Sequence, residues 1–250
     1  MEDTTRQYGQ QEFNLPHDVV TLPSKGKFYK NKKKVLKVGY LTAQDENLLI
    51  GGNRNDSIIN TLIKNKVYEP DFKVDELLES DMEAILIFLR NTAFGPDYGF
   101  TLTDPKTNTK FESTIRLDEL NIKEPQIQPD SEGLFELKLP KSGSLLKCKL
   151  LNVGEMNELN RQFESYPQGI TAPVVTGKLE KQIVSVDGNK SREDISKFIM
   201  ALPISDSKYI RNTLSDCEPR LDLNREVTAP SGEKVNVRVT FGAEFFRPFF

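Results

Sequence analysis

Histidine is nearly missing from these 250 residues: there is one, His17, beside two cysteines and no tryptophan. His17 lies in a polar N-terminal stretch with little apolar surface to hold it. A general base works only when it is held in place, so Ser-His-Asp and Cys-His arrangements are excluded. Cys148 and Cys217 belong to no Cys-x-x-Cys pair, which leaves neither a disulfide framework nor a zinc knuckle and reads as two small buried apolar residues. No apolar run approaches the roughly 20 residues that cross a bilayer, and Met1 to Phe13 lack the apolar stretch of a signal peptide. Synthesis and use in a cytoplasm are therefore expected. Gly-x-Ser-x-Gly, phosphate-loop, His-Glu-x-x-His and dinucleotide signatures are lacking too. Ser205-Asp206-Ser207-Lys208 fits Ser-x-x-Lys without that motif's companions, and Ser205 is better read as a helix cap. Paired carboxylates arise trivially among 37 acidic residues, and without tryptophan no sugar platform stands out. The net charge of −3 argues against nonspecific nucleic-acid binding. No catalytic residue, cofactor or metal is expected.

What the chain does have is an ordinary globular composition, 37% hydrophobic and 28% charged, at a length that buries a sizeable core. Residues 1–14 read as a flexible polar tail. Pro and Gly punctuate Leu22-Pro23-Ser24-Lys25-Gly26-Lys27-Phe28-Tyr29 into a turn-rich stretch with Phe28 and Tyr29 as anchors. The basic run Lys30 to Lys34 is either a solvated turn or a contact for an acidic partner. Val35 to Leu41 follows as a strand, Thr42 caps a short helix, and Ile58, Ile59, Leu62 and Ile63 mark another. Ser80-Asp81-Met82-Glu83 matches a capping box, opening a helix whose apolar face is Ala84, Ile85, Phe88 and Leu89 and which ends near Gly95-Pro96. A hairpin turns at Asp104 to Asn108.

Residues 123–132 form a polar, Pro-interrupted linker and the best boundary, dividing the chain into 15–122 and 133–250. Beyond it come a hairpin around Pro140 to Gly143, a helix from Asn152 to about Ser165, a strand over Leu179 to Val186, helices opened by Ser191 and by Ser205 or Asp206, and a last hairpin around Pro230 to Glu233. An offset of 125 residues lays Leu77, Ser80, Asp81, Ile85 and Leu89 on Leu202, Ser205, Asp206, Ile210 and Leu214. Duplication and coincidence of two common units both account for that match. The fold class is α+β, with two related halves of capped helices on a hairpin or small antiparallel sheet. Five of the last ten residues are Phe. Burying them stabilises by about 1.5–3 kcal/mol each, so Phe245, Phe246, Phe249 and Phe250 dock either on the chain's own core or, like Phe28 and Tyr29, on a partner.

Three ordered segments resemble the T-even-type phage baseplate hub family: Leu22-Pro23-Ser24-Lys25-Gly26-x-Phe28-Tyr29, Leu41-Thr42-Ala43-x-Asp45-Glu46-x-Leu48-Leu49, and Phe245-Phe246-Arg247-Pro248. The Leu77 to Arg90 helix fits as well. The resemblance implies a non-enzymatic component of a contractile-tail baseplate hub, working through contacts with other baseplate proteins in the virion tail after synthesis in a bacterial cytoplasm. The alternative is a hub-assembly chaperone absent from the mature virion. The resemblance implies Cys-Pro-x-Cys-type knuckles, which related proteins often carry, at the two hairpin turns. Here those turns read Asp104-Pro105-Lys106-Thr107 and Thr228-Ala229-Pro230-Ser231-Gly232, which offer neither thiolate nor imidazole, so hydrogen bonds must hold them.

Overall fold

The computed structural model describes residues 16–51, 56–241 and 243–246; the expected 1–14 tail lies outside them. Strands β1 (His17–Thr21) and β2 (Val35–Gly39) pair antiparallel, His17 opposite Gly39 and Thr21 opposite Val35. Val20, Leu36 and Val38 point inward and are buried, as the alternation of a half-buried strand requires. Helices α1 (Ala43–Gly51), α2 (Asp56–Lys66) and α3 (Glu79–Phe94) follow, then the hairpin β3 (Asp97–Thr103) and β4 (Lys110–Arg116) and the short β5 (Ile122–Lys123). Asp45 links the first two helices: its carboxylate accepts the Thr42 N–H and hydroxyl, each at 2.7 Å, and pairs with the buried Lys66 at the end of α2. The Thr42 cap is thus reversed, the acid serving the threonine.

The second part opens with β6 (Phe135–Lys138) and β7 (Leu145–Cys148), joined by β8 (Ile183–Val186) into an antiparallel sheet of three strands. Between β7 and β8 lie α4 (Val153–Glu164) and α5 (Val174–Gln182). Asn152 and Glu155 close a complete capping box on α4, 2.8 Å and 3.2 Å. The strand expected from Leu179 begins only at Ile183, because α5 continues through Gln182. Gly177 lets α5 lie against α4, where an added Cβ would sit 3.1 Å from the Phe163 ring, and this packing favours helix where local pattern reads strand. Helices α6 (Arg192–Met200, with Ser191 as its cap) and α7 (Ile204–Cys217), then β9 (Arg220–Leu221), β10 (Asn224–Thr228) and β11 (Lys234–Arg238) complete the order, before a 3-10 turn at Ala243–Phe246. Helices and several small antiparallel sheets make this an α+β fold.

Two apolar clusters hold it. The second gathers β6, β7, β8 and α5 to α7 around Phe135, Leu146, Ile183 and Ile210. The first is centred on α3, whose Ile85, Leu86 and Leu89 are fully buried, and it draws in residues from far down the chain: Val153, Leu223, Val239, Phe245 and Phe246. Strand β5 pairs with β9, Ile122 opposite Leu221, so the segment after α7 returns to the first cluster. Residues 123–132 pack on the β1–β2 turn, with Lys25 paired to Glu124, Lys27 Nζ 2.6 Å from Gln128 and Lys32 Nζ 2.9 Å from the Ser131 carbonyl. Lys33 pairs with Glu69. Most of the basic cluster is thus satisfied within the chain, while Lys30 and Lys34 remain exposed.

Candidate functional site

The turn between β1 and β2 is built around one buried carboxylate. Leu22, Pro23 and Ser24 are all buried, Lys25 takes φ 52° and Gly26 φ 73°. A Cβ on Gly26 would fall 2.5 Å from the Lys32 carbonyl oxygen, so only glycine fits. Asp81, fully buried in the first turn of α3, accepts the Ser24 N–H at 2.9 Å and the Tyr29 hydroxyl; that hydroxyl accepts the Leu78 N–H at 3.1 Å. Burial raises the Asp81 carboxyl more than its bonds to Ser24 and Tyr29 lower it. Burial, then the adjacent Asp81 charge, pushes the Tyr29 phenol far above its ordinary value.

A second aspartate repeats the arrangement. Asp206 is also fully buried in the first turn of its helix, α7, and accepts the Lys141 N–H at 3.0 Å and the Ser142 N–H at 2.8 Å from the β6–β7 turn. Burial pushes this carboxyl up, but the two amides outweigh it and the net shift is downward. The capping role expected of Ser80 and of Ser205 or Asp206 is therefore corrected. Helix α3 starts one residue early, after Leu78, and α7 after Pro203, with no side-chain cap at either. Each Asp is then the third helical residue, and its carboxylate satisfies hairpin amides across the fold. Leu22-Pro23-x-x-Gly26 and Leu139-Pro140-x-x-Gly143 were the signal for this pairing, but their separation differs from that of the two aspartates, so a single offset hides it.

The tips of the other two hairpins meet. Asp104 accepts the Lys106 N–H (2.9 Å) and Thr107 N–H (3.2 Å) of its own turn, and the Ser231 N–H (3.0 Å) and hydroxyl (2.8 Å) of the β10–β11 turn. These are the turns where the resemblance places cysteine knuckles, and hydrogen bonds join them here. Among the described residues no group of three or more His, Cys, Asp or Glu is arranged to hold a metal. Burial pushes the Asp104 carboxyl up, yet the Ser231 hydroxyl and the three amides hold it at about 2. Its stabilising effect is therefore present above the ordinary carboxylate value and lost as pH falls toward 2. Asp104→Ala is expected to lower the melting temperature at pH 7, to leave it nearly unchanged at pH 2, and to speed hydrogen exchange at the Ser231 and Thr107 amides; equal losses at both pH values would contradict this account.

Four of the aromatic residues expected at a partner surface, Phe28, Tyr29, Phe245 and Phe246, are turned inward. Tyr29 packs edge-on to Phe72 with centroids 5.1 Å apart, and Phe28 lies 5.8 Å from Phe135, bridging the turn to the second cluster. Phe245 and Phe246 are 0% and 1% exposed; the Phe245 ring packs tilted against Tyr98 and edge-on against Phe241 and Phe246. Of the two docking alternatives the structure shows the internal one for this pair, because both rings join the buried apolar cluster centred on α3. Phe249 and Phe250 lie outside the described residues. Among the described residues the apolar side chains left most exposed are Met200 and Ile204, at the corner between α6 and α7, and periodicity alone did not single them out.

The cysteines are buried thiols; desolvation pushes Cys148 up to about 12. His17 lies in β1 with its ring 6.0 Å from that of Tyr68. Arg90, fully buried, closes the C-terminus of α3 by donating to the Gly95 and Asp97 carbonyls at 2.7 and 3.0 Å. Glu83 and Glu218 are both pushed up to about 7, first by burial and next by the Glu79 carboxylate. The nearby Ser80 amide at the start of α3 offsets a small part of this for Glu218. No described helix is long and apolar enough to cross a membrane.

A protein-family model described as T4 bacteriophage base plate protein matches residues 16–247. No curated protein and no solved structure matches the chain.

Proposed function

We propose, from the premise that this chain belongs to the family of T4 bacteriophage base plate proteins, that it is a non-enzymatic component of the hub or inner baseplate of a contractile tail. The observation that carries this reading is the span of the family match, which takes in nearly the whole described chain. The geometry supports a scaffold: three of its fully buried carboxylates, Asp81, Asp206 and Asp104, each accept hydrogen bonds that join distant segments. Phe28, Tyr29, Phe245 and Phe246 serve assembly by holding the body together, and contact with other baseplate proteins falls to residues outside the two cores. No nucleic acid, membrane or cofactor takes part, and the protein is made late, in the host cytoplasm.

Quantitative mass spectrometry of purified particles tests this. A fixed number of copies per tail is expected. Absence from mature particles, with presence in assembly intermediates, would overturn the structural reading in favour of a hub-assembly chaperone.

A further inference from the structure

Two surfaces outside the cores are complementary. At the α6–α7 corner Met200 is 75% exposed and Ile204 84%, with the exposed Pro203 between them. Lys208 and Arg211 follow Ile204 at helical spacing on one stripe of α7, and neither has an ion-pair partner among the described residues. Lys197, nearer Met200, pairs with Glu193. The corner is thus an apolar knob with a cationic edge.

The second surface is a groove of about 330 Å³ bounded by α3, α4 and the end of β11. Met82, Leu86, Met156 and Val239 give it apolar walls, and methionine adapts readily to an incoming side chain. Glu79 and Glu83 stand in the lining, where Arg238 is the sole cation among the described residues. Glu79 is exposed, while burial first and then the Glu79 and Glu218 carboxylates hold the half-buried Glu83 up at about 7, so the anionic charge of the lining rests mainly on Glu79.

We propose that the Met200–Ile204 corner of one copy docks in this groove of a second copy, head to tail. Ile204 and Met200 enter between the apolar walls, and Lys208 and Arg211 approach the exposed Glu79. The two surfaces differ, so the contact is heterologous: repeated, it builds a ring or an open array instead of a closed pair. A single knob in a groove is a small interface beside the roughly 1,200–2,000 Å² of stable complexes. Association is therefore weak in solution and strengthens when neighbours hold the copies together. The inference does not depend on which baseplate component the chain is.

Sedimentation velocity on the full chain over a wide concentration range tests it. The mass average is expected to rise with concentration and to fall back with added salt, which screens the charged rim. Ile204→Glu removes the knob, and Glu79→Arg with Asn160→Arg blocks the groove; all three positions are exposed, and thermal melts check that each variant folds. Each variant alone should remain monomeric, with at least tenfold weaker association. Mixed in equal amounts they should form a dimer and nothing larger, because one retains the groove and the other the knob. A wild-type chain that stays monomeric at every concentration, Ile204→Glu that still associates, or a mixture that stays monomeric overturns the proposal.

Discussion

The double substitution Phe245→Ala, Phe246→Ala is expected to abolish the cooperative unfolding transition, leaving no folded monomer to be defective in assembly. Both rings are essentially unexposed, and they form a chain of aromatic contacts, with Tyr98 and Phe241 centroids 5.5 and 4.9 Å from Phe245 and Phe246 at 5.1 Å. Truncating one buried Phe to Ala costs about 3–5 kcal/mol. Two in contact are not strictly additive, but their combined loss approaches the roughly 5–15 kcal/mol that stabilises an ordinary domain. Urea unfolding followed by circular dichroism reads the result. Either single substitution should lower the midpoint strongly with the slope retained, and the double variant should lack a native baseline. A double variant that unfolds at the wild-type midpoint would mean that these rings are not core residues. A chain ending at Phe246 separates this role in the fold from any contact made by Phe249 and Phe250.

Asp81→Ala should cost about 3–5 kcal/mol. The substitution leaves the Ser24 N–H and the Tyr29 hydroxyl without their acceptor in the core, at about 1–3 kcal/mol for each stranded group, and opens a small cavity besides. Asp81→Asn retains an acceptor for Ser24 and should cost less. The pH dependence has a definite sign. Asp81 and Tyr29 are both raised in the folded state, so each contributes stability that is present below its unfolded value and lost as pH rises. For Tyr29 this means that stability falls once pH exceeds about 10, as unfolded chains ionise a phenol that folded chains cannot. Tyr29→Phe should be less stable than wild type at pH 7 and should flatten the alkaline loss. An unchanged alkaline limb in Tyr29→Phe would show that the decline arises elsewhere.

Local signals account for much of what was legible. The α4 start at Asn152-x-x-Glu155 and the α6 start at Ser191 were readable because a cap and its amide lie within one turn. The β3–β4, β6–β7 and β10–β11 hairpins were readable because alternation and Pro/Gly turns are adjacent in sequence. The same local rule misassigned Ser80 and Ser205. A capping match records that a carboxylate or hydroxyl stands near free amides, and it does not say whether other amides compete for it. At Asp81 and Asp206 those competitors sit 57 and 65 residues away.

Composition and short-range pattern thus determined the α+β class, the order of most helices and hairpins, and the shortage of groups suited to histidine- or cysteine-based catalysis. Only the tertiary structure decided where Phe245 and Phe246 dock, that two aspartates clasp two Leu-Pro-x-x-Gly turns, and that hairpin tips 127 residues apart meet at Asp104 and Ser231. The physical reason is range. Capping and periodicity act over a few residues. The partner of a buried carboxylate or phenyl ring is chosen by which distant segments can fill the same dry volume without stranding an amide.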